Sequence, residues 1–160
     1  MELLLDKEPV KRVQETISKF NPKLKVMVLK TSARTSREAA SSLNCDIGAI
    51  VKSLLFRIEE SFLICLVAGD KRCSLNKLKK ILKKKDVCMA NADDVKNITG
   101  FSIGGVSPVA HIKKLDILID VSLKRFSFIF AAAGHPNCVF KISYNELIKI
   151  TNGSLKDLVE

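Results

Sequence analysis

Apolar residues recur along the chain at two different spacings, and the alternation between these spacings predicts the order of helices and strands. Spacings of three or four residues indicate helices with one buried face, and short apolar runs between turn residues indicate strands. Helices are predicted on this basis over 9–20, 35–43, 74–85, 91–100 and 143–150. Strands are predicted over 24–29, 50–58, 62–68, 86–90, 116–120, 126–133 and 138–142. Residues after Asn152 carry no such pattern and are expected to fray.

The predicted elements favour one fold class. The strands 50–58 and 62–68 are separated only by a polar turn and predict an antiparallel hairpin. Strands outnumber those that one strand–helix–strand unit needs, and several connections are short. We therefore expect an α+β fold with a mixed, strongly curved, barrel-like sheet surrounded by helices. The length of 160 residues suits a single domain spanning 1–160.

Lys52 interrupts this pattern, because it lies in the middle of the apolar run from Ile50 to Phe56. Alternation along a strand puts Ile50, Lys52, Leu54 and Phe56 on one side of the sheet. An ammonium group is costly to bury without a partner. The lysine therefore either reaches solvent at a sheet edge or is kept for a ligand.

Charge adds a second feature, because the net charge of +10 is unevenly distributed. The segment 71–85 contains eight basic residues and no acidic one, which suits a polyanion such as nucleic acid. A merely solvated helix face is the alternative. The lysines expected to contact the phosphates of a nucleic acid, with salt-dependent affinity, are Lys77, Lys79, Lys80, Lys83 and Lys84.

Cysteine spacing and hydropathy exclude several classes of protein. The five cysteines show no C-x-x-C pair, which argues against a disulfide framework or zinc site, so no metal or cofactor is expected. Cys73 follows Arg72 and is a candidate reactive thiol, although a structural role is favoured for all five cysteines. The densest apolar stretch, 126–134, is far shorter than the ~20 residues that span a bilayer. With no signal-peptide pattern at its start, the chain is expected to be cytoplasmic and not membrane-bound.

Two glycine-containing segments are candidates for ligand binding. In Gly104-Gly105-Val106-Ser107-Pro108, paired glycines allow the backbone N–H groups to approach an anion or oxyanion. In Gly134-His135-Pro136, the imidazole is either an ordinary loop histidine or a general base or donor that orients a ligand. Asp120, at the end of a predicted strand, either caps the turn that follows or pairs with Lys52, and capping is favoured.

Several segments, taken in order, resemble the YbaK/ProX family, which includes the editing domain of bacterial prolyl-tRNA synthetases. The resemblance spans about residues 30–150, and the ordered set of motifs with its spacing is specific, although each motif alone is weak. The matching segments are 35–43 (TSREAASSL), 50–56 (IVKSLLF), 67–70 (VAGD), 99–101 (TGF), 104–108 (GGVSP), 119–120 (ID) and 133–134 (AG).

This resemblance implies a mixed α/β fold around a curved sheet and hydrolysis of the ester in mischarged aminoacyl-tRNA. It implies that Lys52 helps to hold the tRNA 3′ end and that the backbone around Gly105 cradles the aminoacyl group. It also implies that no protein side chain acts as the nucleophile, so that water or the substrate's own side chain attacks. The residues expected at the substrate, besides this catalytic pair, are Ser53, Gly104, Ser107, Pro108, Asp120, Gly134 and His135.

Two departures from the family leave the edited amino acid open. Ser53 stands where the alanine-editing branch has asparagine, and it resembles the small hydroxyl residue of the cysteinyl-tRNA-Pro branch. The segment 134–137 differs, however, from the Gly/Arg-rich segment of that branch. The leading hypothesis is a trans-editing deacylase that acts on tRNA, and an aminoacyl-tRNA synthetase is a further candidate partner. The alternative is a non-catalytic module that binds tRNA or a synthetase through the basic helix 71–85.

Overall fold

Five α-helices and eight strands form in the part of the chain that the computed structural model describes, residues 3–31 and 33–160. The helices are α1 (Glu8–Phe20), α2 (Ser36–Leu43), α3 (Leu75–Leu82), α4 (Ala92–Thr99) and α5 (Tyr144–Thr151). The strands are β1 (Val26–Val28), β2 (Val51–Ile58), β3 (Ser61–Ala68), β4 (Val87–Met89), β5 (Asp116–Asp120), β6 (Phe128–Ala132), β7 (Cys138–Ser143) and β8 (Ser154–Lys156).

Local hydrogen bonding fixes where the helices begin and end. The Thr35 side chain accepts from the backbone N–H of Glu38 at the start of α2, and Asn44 closes this helix in the left-handed conformation with φ 53°. Ser74, Asn91 and Ser143 cap three further helices in the same way. Each such cap stabilises its helix by roughly 0.5–2 kcal/mol. The predicted bounds of these helices are therefore confirmed to within a few residues.

The strands form two sheets. One is a mixed five-stranded sheet in the order β4-β2-β3-β5-β8, and the other is an antiparallel three-stranded sheet in the order β1-β7-β6. The predicted β2–β3 hairpin is confirmed, with Val51 opposite Ala68 and Ile58 opposite Ser61. A bridge between Ile50 and Phe130 is the point where the two sheets meet. The α+β class and the mixed sheet are confirmed, but neither sheet closes on itself within the described residues, so a barrel is not confirmed.

The core lies on both faces of the larger sheet, because successive residues of β2 point to opposite sides. Val51 and Leu55 pack into the main core, which also contains the buried face of α1. Phe56 and Ile58 pack into a second core beneath α3, where Leu78 is fully buried. Ser53 therefore shares a face with Val51 and Leu55, whereas Lys52 shares the other face with Phe56.

The C-terminal segment is ordered, so the expected fraying after Asn152 is wrong. Strand β8 pairs in parallel with β5 through residues 154–156. Leu158 is fully buried in the second core. Its backbone N–H donates to Oδ1 of Asp120 at 2.7 Å, which attaches this segment to the end of β5.

Cys65 and Cys138 are fully buried and Cys88 is half-buried, and all five cysteines are free thiols. Across the described ranges, every helix is too short or too polar to traverse a lipid bilayer. No cluster of potential metal ligands occurs in those ranges.

Candidate functional site

A cavity of about 450 Å³ lies where the two sheets meet. Strand β2 forms one wall and β6 the other, and the start of α2 and the glycine loop that begins at Ile103 complete the lining. Most of the lining side chains are apolar, among them Ile50, Leu55, Val95 and Val139. Such a site suits an uncharged group that is held by a small number of polar contacts.

Lys52 lines this cavity from β2 and is half-buried. Its Nζ donates a hydrogen bond to the backbone carbonyl of Lys71, in the turn that follows β3. Burial lowers the pKa of Lys52, and the charges of Cys73 and Asp70 partly oppose this shift. Asp70 itself is held by Arg125, with its two oxygens 2.6 and 2.8 Å from the guanidinium nitrogens. The ammonium group therefore has a carbonyl partner and retains capacity for an anionic ligand.

Ser53 contributes an unsatisfied hydroxyl to the same cavity. Its Oγ is buried and has no hydrogen-bond partner within the described residues. A buried hydroxyl without a partner costs about 1–3 kcal/mol. A ligand that hydrogen-bonds to this oxygen therefore removes that cost, which adds to its binding free energy.

The paired glycines occupy different environments. Gly104 has the left-handed φ of 93° and lines the cavity. Gly105 donates its N–H to the Ser102 carbonyl at 3.0 Å and accepts from the N–H of Gly134 at 3.0 Å. A Cβ on Gly105 would lie only 2.9 Å from the backbone nitrogen of His135, so only glycine permits this approach. Gly104 is therefore the member of the pair beside Lys52 and Ser53, and the N–H of Gly105 is already engaged.

A second cavity, of about 330 Å³, lies behind this loop. It is lined by Gly105, Gly134, His135 and the first residues of α1. His135 accepts from the N–H of Asn137 through Nδ1, at 3.0 Å, which places the proton of the neutral ring on Nε2. Burial lowers the pKa of His135, and the nearby charges of Lys7 and Arg34 lower it further. The neutral imidazole can therefore donate from Nε2 but lies outside the larger cavity.

Three of the predicted substrate residues make contacts within the protein. Ser107 is fully buried, and its Oγ accepts from the N–H of Val109 at 3.2 Å. Pro108 is buried beside it. Asp120 is fully buried and accepts from the N–H groups of Ser122 at 3.0 Å and of Leu158. None of the three lines the larger cavity, and the favoured capping role of Asp120 is confirmed.

Only some of the lysines of α3 and of the residues just after it have no ion-pair partner within the described residues. Lys77 pairs with Asp157 at 3.0 Å and Lys84 with Glu59 at 2.8 Å. The lysines of this group that form no ion pair within the described residues are Lys79, Lys80 and Lys83. These three side chains are therefore the ones directly available to an external polyanion.

Some residues that line the larger cavity were not predicted from the sequence, and one of them, Arg34, is charged. Arg34 is exposed at the cavity, immediately before the Thr35 cap of α2. Exposed Met89 and Ile103 lie at the same cavity. Periodicity gives no signal for these positions, because a loop or strand end becomes part of a site only through tertiary contacts.

Comparisons with known proteins find the same fold among solved structures. The solved structure of a candidate trans-editing enzyme for prolyl tRNA synthetase superposes with a TM-score of 0.90 at 34% identity, covering 96% of this chain and 98% of that one. Hypothetical protein APE2540 superposes with a TM-score of 0.86 at 28% identity, covering 93% of this chain and 99% of that one.

Relatives in sequence include both short and long proteins. The uncharacterized protein YwhH of Bacillus subtilis is 32% identical over 139 residues, which are 86% of this chain and 88% of YwhH. A proline–tRNA ligase of Caldicellulosiruptor bescii is 33% identical over 117 residues, which are 73% of this chain but only 19% of the ligase. The family model of the aminoacyl-tRNA editing domain matches residues 30–150. This protein therefore belongs to the aminoacyl-tRNA editing domain family.

Proposed function

We propose that this protein hydrolyses the ester bond of a mischarged aminoacyl-tRNA in trans. The observation that carries the proposal is the largely apolar cavity whose lining includes Lys52, Ser53 and Gly104. An apolar pocket suits an uncharged aminoacyl side chain, and a cation suits the phosphates at the 3′ end of the tRNA. Membership of the editing-domain family supports the same reaction.

In the proposed reaction, water or the substrate's own side chain attacks the ester carbonyl. In the water case, the water oxygen bonds to the carbonyl carbon, the bond from that carbon to the ribose oxygen breaks, and the ribose oxygen receives a proton. Cys138 also lines the cavity, but burial raises the pKa of its thiol, which disfavours the thiolate that a nucleophile requires. Positioning of the ester, rather than covalent catalysis, is therefore the role proposed for this site.

Within this proposal, Lys52 holds the 3′ end of the tRNA as a point charge. Gly104 forms the wall against which the aminoacyl group lies. Gly105 supports that wall through its hydrogen bond from Gly134. The Ser53 hydroxyl is available to a polar atom of the substrate. His135 completes the support of the loop and is not assigned a proton transfer.

The test is a panel of mischarged tRNAs incubated with the purified protein. We expect at least one to be hydrolysed, and Lys52→Ala to abolish this turnover with an unchanged circular dichroism spectrum. Lys11→Ala, which removes an exposed lysine of α1, is the matched control and is expected to behave as wild type. The absence of turnover with wild type across the panel would refute the proposal.

The second candidate function is non-catalytic binding of tRNA or a synthetase through α3. The free side chains of Lys79, Lys80 and Lys83 favour it. It predicts salt-sensitive tRNA binding that is lost when these lysines are changed to glutamate, with no hydrolysis by the wild type. Hydrolysis that survives the triple change at high substrate concentration would instead assign α3 to tRNA capture by the enzyme.

A further inference from the structure

Arg34 occupies a fixed position at the cavity. The backbone N–H of the preceding residue, Ala33, donates to the Pro136 carbonyl at 2.9 Å. The following residue, Thr35, caps α2. The backbone of Arg34 is therefore held between the segment Gly134-His135-Pro136 and the start of α2, even though the side chain of Arg34 is exposed.

The stem of Arg34 packs on the glycine loop. Its Cγ lies 3.7 Å, and its Cβ 4.0 Å, from the position that a Cβ on Gly104 would occupy. This contact directs a long side chain across the residue that forms the cavity wall. A flexible arginine on a free loop would lose more conformational entropy on binding a ligand than one whose stem is already packed.

The charge of Arg34 is not neutralised by the protein. Its guanidinium forms no ion pair or hydrogen bond within residues 3–31 and 33–160, and the charged residues that line the cavity there are Arg34 and Lys52. No carboxylate from those ranges lines the cavity. The site therefore has two cations, one half-buried on β2 and one exposed at the start of α2, around largely apolar walls.

We propose that Arg34 binds the phosphate that links the 3′-terminal nucleotide of the tRNA to the preceding nucleotide. This inference rests on the proposed function and adds a positioning residue to it. A guanidinium group binds a phosphate through two parallel hydrogen bonds, and its planar fork orients the ligand as well as attracting it. With the ester in the cavity, this arrangement fixes the terminal nucleoside between Arg34 and Lys52.

The test compares two substrates that carry the same aminoacyl ester. One is the mischarged tRNA, and the other is 3′-aminoacyl-adenosine, which has no phosphate. Arg34→Ala is expected to lower kcat/KM on the tRNA about tenfold to a hundredfold, mainly through KM, because charged hydrogen bonds of this kind are removed. The loss on the aminoacyl-adenosine is expected to be much smaller, because this substrate lacks the phosphate that Arg34 binds. Arg34→Lys is expected to lower kcat/KM on the tRNA less than Arg34→Ala does, because lysine keeps the positive charge but cannot form two parallel hydrogen bonds.

Arg37→Ala is the matched control, because Arg37 is exposed on α2 but does not line the cavity. An equal loss on both substrates, or no loss on the tRNA, would overturn the proposal. If wild type hydrolyses neither substrate, the proposed function fails, and Arg34 is then tested through binding of the trinucleotide CCA. Weaker binding by Arg34→Ala, with a shallower salt dependence, would support the phosphate contact, and unchanged binding would overturn it.

Discussion

Asp120 has two candidate roles, one in holding the fold together and one in binding substrate, and Asp120→Ala distinguishes them. The carboxylate is fully buried, and its two oxygens accept from the N–H groups of Ser122 at 3.0 Å and Leu158 at 2.7 Å. Both contacts join β5 to other elements, namely the turn 121–125 and the C-terminal segment. Removing the carboxylate leaves these donors without their acceptor.

The expected cost follows from the burial of each donor. A hydrogen bond to a charged group contributes about 1.5–3 kcal/mol, and a buried donor left unpaired costs about 1–3 kcal/mol. The Ser122 side of the site is only partly buried, so water can replace that contact, whereas the Leu158 side is buried. We expect a total of about 2–4 kcal/mol, which for a protein of this size corresponds to about 4–16 °C in Tm.

Thermal and urea unfolding of Asp120→Ala measure this cost. Asp116→Ala, at the exposed start of the same strand, is the control and is expected to change Tm little. Deacylation by the folded fraction of Asp120→Ala should remain close to wild type. An unchanged Tm combined with a large fall in kcat/KM would refute this structural role and would indicate that the carboxylate binds substrate.

Further predictions concern three other residues. Leu158→Ala should destabilise the protein by about 2–5 kcal/mol in urea unfolding, because this side chain is fully buried, and a change below about 1 kcal/mol would contradict an ordered C-terminal segment. Gly134→Ala should lower Tm, because the residue has φ 92° and the new Cβ would lie 2.8 Å from the Pro9 carbonyl; an unchanged Tm would mean that α1 can move away freely. Burial lowers the pKa of Lys52, so the unfolded state binds this proton more tightly, and the stability of wild type relative to Lys52→Met should rise with pH between the lowered pKa and its ordinary value of 10.5. Urea unfolding of both proteins across that interval measures this, and a falling difference would contradict the direction of the shift.

Local chemistry made much of the fold predictable from sequence. The cap at Thr35 and the left-handed Asn44 depend only on neighbouring residues, so the bounds of α2 follow from the sequence. Strand β8 could not be predicted, because its three residues are all exposed and the strand exists only through pairing with β5.

The candidate site was predictable to a smaller extent. Alternation correctly separates Lys52 from Ser53, but the contact of Lys52 with the Lys71 carbonyl joins residues far apart in the chain. The choice between Gly104 and Gly105 likewise depends on a long-range approach, that of the backbone at 134–135. Sequence motifs therefore located the loop but not the member of it that faces the cavity.

The docking of α1 has a consequence for the larger cavity. A Cβ on Gly134 would lie only 2.8 Å from the Pro9 carbonyl, and Arg12 donates from Nε to the Ala110 carbonyl at 2.7 Å, so this helix packs closely on both the segment 134–136 and the end of the loop 102–111. The helix lies outside residues 30–150, the part of the chain that the family model matches. Substitutions in α1 are therefore expected to shift the backbone at 134–135 and, through the hydrogen bond from Gly134 to the Gly105 carbonyl, the adjoining wall of the larger cavity, although no residue of α1 lines that cavity.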